Sequence, residues 1–187
     1  MNDALKQLTD ILIDATAALH ADYFQLPVAG SENPQYRERV YCYELYHLMR
    51  ANWPSDFPFS LAGEIDKSGH LLIRGNGLDY AKPDFIVHVP GDMHFNLLVV
   101  EVKAYTLNRQ KIQKDLRKLT AFRRHADYHA AYYLFYGVAP ENGDALTALC
   151  RDIAHNDNEA DLSSIDLLIH ERPANSAFFY PWQQQLA

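Results

Sequence analysis

Two short runs of apolar and β-branched residues constrain this chain most. Pro83-Asp84-Phe85-Ile86-Val87-His88-Val89 and Leu97-Leu98-Val99-Val100-Glu101-Val102-Lys103 flank a polar stretch that contains Pro90-Gly91-Asp92. That pattern predicts an antiparallel hairpin. Charges stand at the ends of these otherwise apolar strands: Asp84 opens the first, and Glu101 and Lys103 close the second. Burying a charge is costly unless a partner answers it, so the three groups need one another or a ligand. Side chains alternate along a strand, so Glu101 and Lys103 share one face while Val102 takes the other. A hairpin centred between Asp92 and Met93 sets Asp84 opposite Glu101, and a slip of one residue would send the carboxylates to opposite faces.

In that register two carboxylates and an ammonium converge at one end of a sheet. Oxygen donors of this kind suit Mg²⁺ or Mn²⁺, which take one or two carboxylates and keep water or substrate oxygens for the remaining positions.

The flanking sequence supplies the rest of a mixed α/β domain. Leu5, Leu8, Ile11, Leu12, Ala15 and Leu19 recur at helical spacing and predict an N-terminal helix over residues 3–23. Pro27, Gly30, Ser31 and Pro34 mark a loop. A second helix runs from Tyr36 to about Asn52 and stops before Pro54. Phe57–Asp66 reads as a strand, Ser68-Gly69 as a turn, and Leu71-Leu72-Ile73 as a short returning strand before Gly75-Asn76-Gly77. After the hairpin come a helix from Asn108 to about Tyr128, a buried strand over Ala131–Val138, a helix over Gly143–His155 and a last strand over Ile165–His170. The aromatic tail Phe178-Phe179-Tyr180-Pro181-Trp182 reads as packing or as a dimer contact. One domain spanning 1–187 follows, with its core at about 36–171 and its tail at 172–187.

Pro-Asp, sixteen residues, then Glu-x-Lys at the end of an apolar strand resembles the PD-(D/E)XK, or restriction-endonuclease-like, nuclease superfamily. The resemblance implies an αβββαβ core with a central mixed sheet flanked by helices. It also implies Mg²⁺- or Mn²⁺-dependent hydrolysis of phosphodiester bonds, leaving a 5′-phosphate and a 3′-hydroxyl. Asp84 and Glu101 would be metal ligands together with the Val102 carbonyl. Lys103 would orient or help deprotonate the attacking water and stabilise charge on the phosphate. Related nucleases add a glutamate from the preceding helix. Glu44, which interrupts the stripe Val40, Glu44, Leu48, is preferred there over Glu38, and Glu64 ranks third. Gln110 matches a place from which some relatives position phosphate. The resemblance favours DNA over RNA as substrate and a setting in bacterial or phage defence, restriction or repair.

Charge and composition shape the partner reading. The net charge of −7 is unfavourable for binding phosphate backbones. Between Glu101 and Arg124, however, eight basic residues face two acidic ones, and Lys111, Lys114 and Lys118 fall along one side of the helix as a candidate nucleic-acid surface. The acidic remainder motivates an alternative, a non-catalytic nuclease-like module that binds a protein partner. No apolar run has the length of a membrane span, the N-terminus lacks a signal-peptide pattern, and Cys42 and Cys150 lie within helices, so a reduced cytoplasmic protein is expected. The nine histidines form no His-x-x-x-His pair and no Cys-x-x-Cys is present, so zinc is not expected.

Overall fold

The computed structural model describes residues 1–63, 78, 81–92 and 94–182. Its centre is a six-stranded mixed sheet in the order β1 (Ser60–Gly63), β2 (Phe85–His88), β3 (Asn96–Ala104), β4 (Ala130–Tyr136), β5 (Asp166–His170) and β6 (Phe178–Tyr180). The first three strands form an antiparallel meander, β3, β4 and β5 run parallel, and β6 returns antiparallel along β5. Helices α1 (Asn2–Ala18), α2 (Ala21–Phe24), α3 (Glu38–Ala51), α4 (Arg109–His125) and α5 (Gly143–His155) cover the sheet.

Alternation along the strands divides the core between two faces. Phe85, Val87, Leu98, Val100, Val102, Tyr132 and Leu134 pack with Leu8 and Leu12 of α1 and with Tyr41, Leu45 and Met49 of α3. Ile86, Val99, Tyr133, Phe135, Leu167 and Ile169 pack with Ile112, Leu116, Leu119 and Phe122 of α4 and with Leu146, Cys150 and Ile153 of α5. Strands β3 and β4 are therefore covered on both sides, which explains their unbroken apolar composition. Asn96, 0% exposed, and Glu101, a carboxylate only 3% exposed, are the buried polar residues of β3.

The hairpin register matches the expectation through its inner part: Phe85 faces Val100, Ile86 faces Val99 and Val87 faces Leu98. A bulge between Val87 and His88 then shifts the pairing, so His88 faces Asn96. The bulge lies at the turn end and leaves the other end, where Asp84 meets Glu101, undisturbed.

Several boundaries differ from the sequence pattern for local reasons. The N-terminal helix ends at Ala18 rather than near Tyr23. His20 then adopts extended backbone, and its Nδ1 accepts from the Asp22 N–H at 3.3 Å to cap the four-residue α2. The first strand begins at Ser60, beyond the Trp53 indole that donates to the Phe59 carbonyl at 3.1 Å. The tail expected to serve as packing or a dimer contact forms an edge strand, with Phe179 edge-on to Tyr132 at 5.5 Å. Glu64 to Asp66, the Ser68-Gly69 turn, the short strand at 71–73 and Gly75-Asn76-Gly77 lie outside the described residues.

The chain entering α3 is seated by a glycine. Gly137, directly after β4, has φ +74°, and a Cβ there would stand 2.6 Å from the Tyr36 ring. Tyr36 in turn packs edge-on to Phe24 and Tyr136. Gly137→Ala is expected to destabilise the protein by about 1–2 kcal/mol from the left-handed backbone alone. Urea unfolding with an unchanged m-value checks this.

Candidate active site

Four elements meet at the carboxyl end of β3. The strand supplies Glu101 and Lys103, the residue before β2 supplies Asp84, the first turn of α3 supplies Glu38, and α4 supplies Asp115 and Lys118. Asp84 lies one residue outside the paired strand. Its Oδ2 accepts from the Val102 N–H at 2.7 Å, while its own N–H donates to Glu101 Oε1 at 3.3 Å. The two acidic residues thus cross-brace the end of the hairpin. The observed register, continued two places, sets Pro83 opposite Val102. Proline has no N–H to give the Val102 carbonyl, and the Asp84 carboxylate takes the Val102 N–H in place of a strand partner.

Lys103 sits between acids from both faces of the sheet. Its ammonium is 3.2 Å from Glu38 Oε2 on the α3 side and 3.2 Å from Asp115 Oδ2 on the α4 side. Glu38 Oε1 also accepts from the Ala104 N–H at 3.3 Å, which fastens the start of α3 to the end of β3. Asp115, 5% exposed, accepts a further bond from the Tyr133 hydroxyl at 2.9 Å. Burial alone would lower the Lys103 pKa, but the charges and hydrogen bonds of Asp115 and Glu38 outweigh it and lift the group above the ordinary lysine value. Lys103 is therefore a firmly held ammonium, suited to donating to an anion and unsuited to accepting a proton from water.

Burial raises the pKa of both members of the acid pair. Burial pushes Asp84 up to about 6, only partly offset by the Val102 N–H and by Lys118 and Lys103. Burial, and then the neighbouring Asp84 charge, push Glu101 up to about 8. The ammonium of Lys118 lies 2.5 Å from Glu101 Oε2 and 4.0 Å from Asp115 Oδ1. Among the described residues no group of three or more His, Cys, Asp or Glu side chains is arranged to hold a metal ion. A hard cation at this position would rest on two carboxylates. Such a donor set fits Mg²⁺ or Mn²⁺, whose remaining positions water and substrate oxygens fill.

The placement of the sequence-derived residues is uneven. Asp84, Glu101 and Lys103 come together. The helix carboxylate that reaches them is Glu38, correcting the preference for Glu44. Glu44 is half-buried and lies six residues, nearly two turns, further along α3. Its break in the apolar stripe reflects partial burial, whereas Glu38 gains its position from the helix start docking on β3. Glu64 lies outside the described residues. Lys118 leaves the expected lysine surface and turns into the acid pair, also donating to the Lys82 carbonyl at 3.4 Å. Lys111, Lys114 and Gln110 remain exposed.

Much of the local basic excess is neutralised. Arg109 pairs with Asp152, Arg117 with Asp157 and Glu159, and Arg124 with Asp161. Asp115 and Tyr133 were not singled out from sequence. The signal for Asp115 was available, because it falls on the buried stripe Ile112, Asp115, Leu116, Leu119. No protein-family profile, curated protein or solved structure matches this chain.

The raised Glu101 pKa gives a testable pH dependence. A folded acid with a raised pKa holds its proton more tightly than the unfolded chain does, so stability falls as pH rises toward the folded value. Below about pH 6.5 the buried His170, whose pKa burial lowers to about 4, acts in the opposite direction, since stability rises as the unfolded histidine loses its proton. Above about 8.5 Cys150, raised to about 12 by burial, adds its own loss. Between pH 6.5 and 8 in EDTA the melting temperature is expected to fall, and Glu101→Gln to flatten that slope. Thermal melts followed by circular dichroism across this window measure both.

Proposed function

We propose that this protein is a Mg²⁺- or Mn²⁺-dependent nuclease of the PD-(D/E)XK type. The observation that carries the reading is the meeting of Asp84, Glu101 and Lys103 at one sheet end, with Asp84 bonded to the backbone of Val102 and its backbone bonded to Glu101. The element order supports it: α3, the antiparallel β1-β2-β3, α4, then β4 parallel to β3 follows the αβββαβ succession of that superfamily.

In this reading Asp84 and Glu101 hold the cation, with the Val102 carbonyl beside them. A bound divalent ion would lower the pKa of a coordinated water and screen the phosphate charge. The chain's own residues do the remaining work. Lys103 donates to a non-bridging phosphate oxygen and stabilises the charge that builds there. Glu38 and Asp115 hold that ammonium from opposite sides, and Tyr133 fixes Asp115. Water adds to phosphorus, the bond from phosphorus to the 3′ oxygen breaks, and a proton ends on that oxygen. Lys111 and Lys114 offer exposed positive charge to the flanking backbone. DNA is preferred over RNA as substrate on the strength of the resemblance.

The test is cleavage of a mixed DNA and RNA panel with Mg²⁺ or Mn²⁺. Asp84→Asn, Glu101→Ala and Lys103→Ala are each expected to lose about 100-fold or more in rate. Glu38→Gln and Asp115→Asn, which touch Lys103, are expected to lose about tenfold. A folded wild-type protein that cuts neither nucleic acid, or a Lys103→Ala variant that cuts equally well, would overturn the proposal. Reversing Lys111 and Lys114 to Glu is expected to weaken nucleic-acid binding without sequence bias. It should also reduce the slope of log affinity against log salt by about 1 per lysine, measured by fluorescence anisotropy.

A further inference from the structure

The site contains a second lysine that the mechanism above does not use. Lys118 lies on α4, yet its ammonium contacts Glu101 Oε2 rather than solvent, and its side chain is only 16% exposed. It stands 4.0 Å from Asp115 and also donates to the Lys82 carbonyl at 3.4 Å. Glu101 is thereby engaged at both oxygens, Oε1 by the Asp84 N–H and Oε2 by Lys118. Asp84 differs: its Oδ2 accepts from Val102, and Oδ1 is the oxygen not engaged by that bond.

Charge gives a second argument, independent of the contact itself. With every group ionised, Glu38, Asp84, Glu101 and Asp115 face the two ammonium groups of Lys103 and Lys118, leaving two negative charges. One divalent cation neutralises that cluster. A second would give it a net charge of +2 in a largely dry place, where uncompensated charge is costly. Removing the Lys118 charge would restore room for another ion beside Glu101 Oε2.

We propose that Lys118 is the second cation of the site: it fills the place beside Glu101 that another divalent ion would otherwise take, so that the acid pair holds one ion rather than two. This rests on the metal-dependent reading of Asp84 and Glu101. Lys118 then performs with a fixed side chain part of what a second ion does in two-metal sites, keeping positive charge next to the shared carboxylate throughout turnover. Its attachment to α4 also sets the distance between that helix and the reacting end of β3.

The experiment counts ions on the full chain by equilibrium dialysis against saturating Mn²⁺, without nucleic acid and without an activity readout. Wild type is expected to bind one ion per chain. Lys118→Met and Lys118→Gln should bind two, while Lys118→Arg, which keeps the charge, should bind one. Far-UV circular dichroism and thermal melts confirm that each variant is folded. Two ions on the wild type would overturn the inference, as would a single ion on folded Lys118→Met and Lys118→Gln. No Mn²⁺ uptake by any variant would overturn the metal-dependent reading itself and this inference with it. One ion on every variant would sink the role of Lys118 alone.

Discussion

Glu101 is a carboxylate placed within a strand that is covered on both faces, and the surrounding structure is organised to answer its charge. A single unpaired carboxylate in such a layer would be several kcal/mol out of balance. Here the Asp84 backbone and the Lys118 ammonium take its two oxygens. Asp84 is held by the Val102 N–H in turn, and Lys103 beyond it is shared between Glu38 and Asp115. Burial nevertheless raises the pKa of both Asp84 and Glu101, so each holds its proton more firmly than an exposed acid does.

What was legible in the sequence follows from which interactions are local. The facing pairs of the inner hairpin follow from centring the turn between Asp92 and Met93, since strands that are apolar on both faces do not fix a register by pattern alone. Gly143–His155 coincides with its expected bounds, since its apolar stripe Leu146, Cys150 and Ile153 follows helical spacing. The strand at Phe178–Tyr180 was missed because three aromatic residues carry no alternation, and its pairing depends on β5 lying alongside. Asp84, Glu101 and Lys103 could be proposed together because two adjacent strands carry them. Glu38 and Lys118 could not be placed, because each arrives on a helix whose rotation against the sheet is set by packing. Helical periodicity says which stripe is buried, but not what a residue at its margin will meet.

The basic stretch after Glu101 illustrates the same point from the side of charge. Counted along the sequence it forms a cationic segment. Folded, Arg109, Arg117 and Arg124 are committed to Asp152, Asp157 and Asp161, on α5 or in the segment that follows it. Their role is to hold α4 against that part of the chain, and Lys111 and Lys114 keep the exposed positive charge. Net charge by segment overstates what a partner can feel when the compensating acids come from distant residues.

Lys103 joins the two layers of helices as well as the groups of the site. Its ammonium bridges a carboxylate anchored on the α3 side and another anchored on the α4 side, so it works as a rivet through the end of the sheet. Removing it would leave Glu38 and Asp115 as opposed acids with no shared counterion, and exchanging either acid would unbalance the lysine. The set therefore resists stepwise change: a viable route to a different arrangement at this end of the sheet would have to replace several of these residues together, or first acquire some other means of fastening the layers.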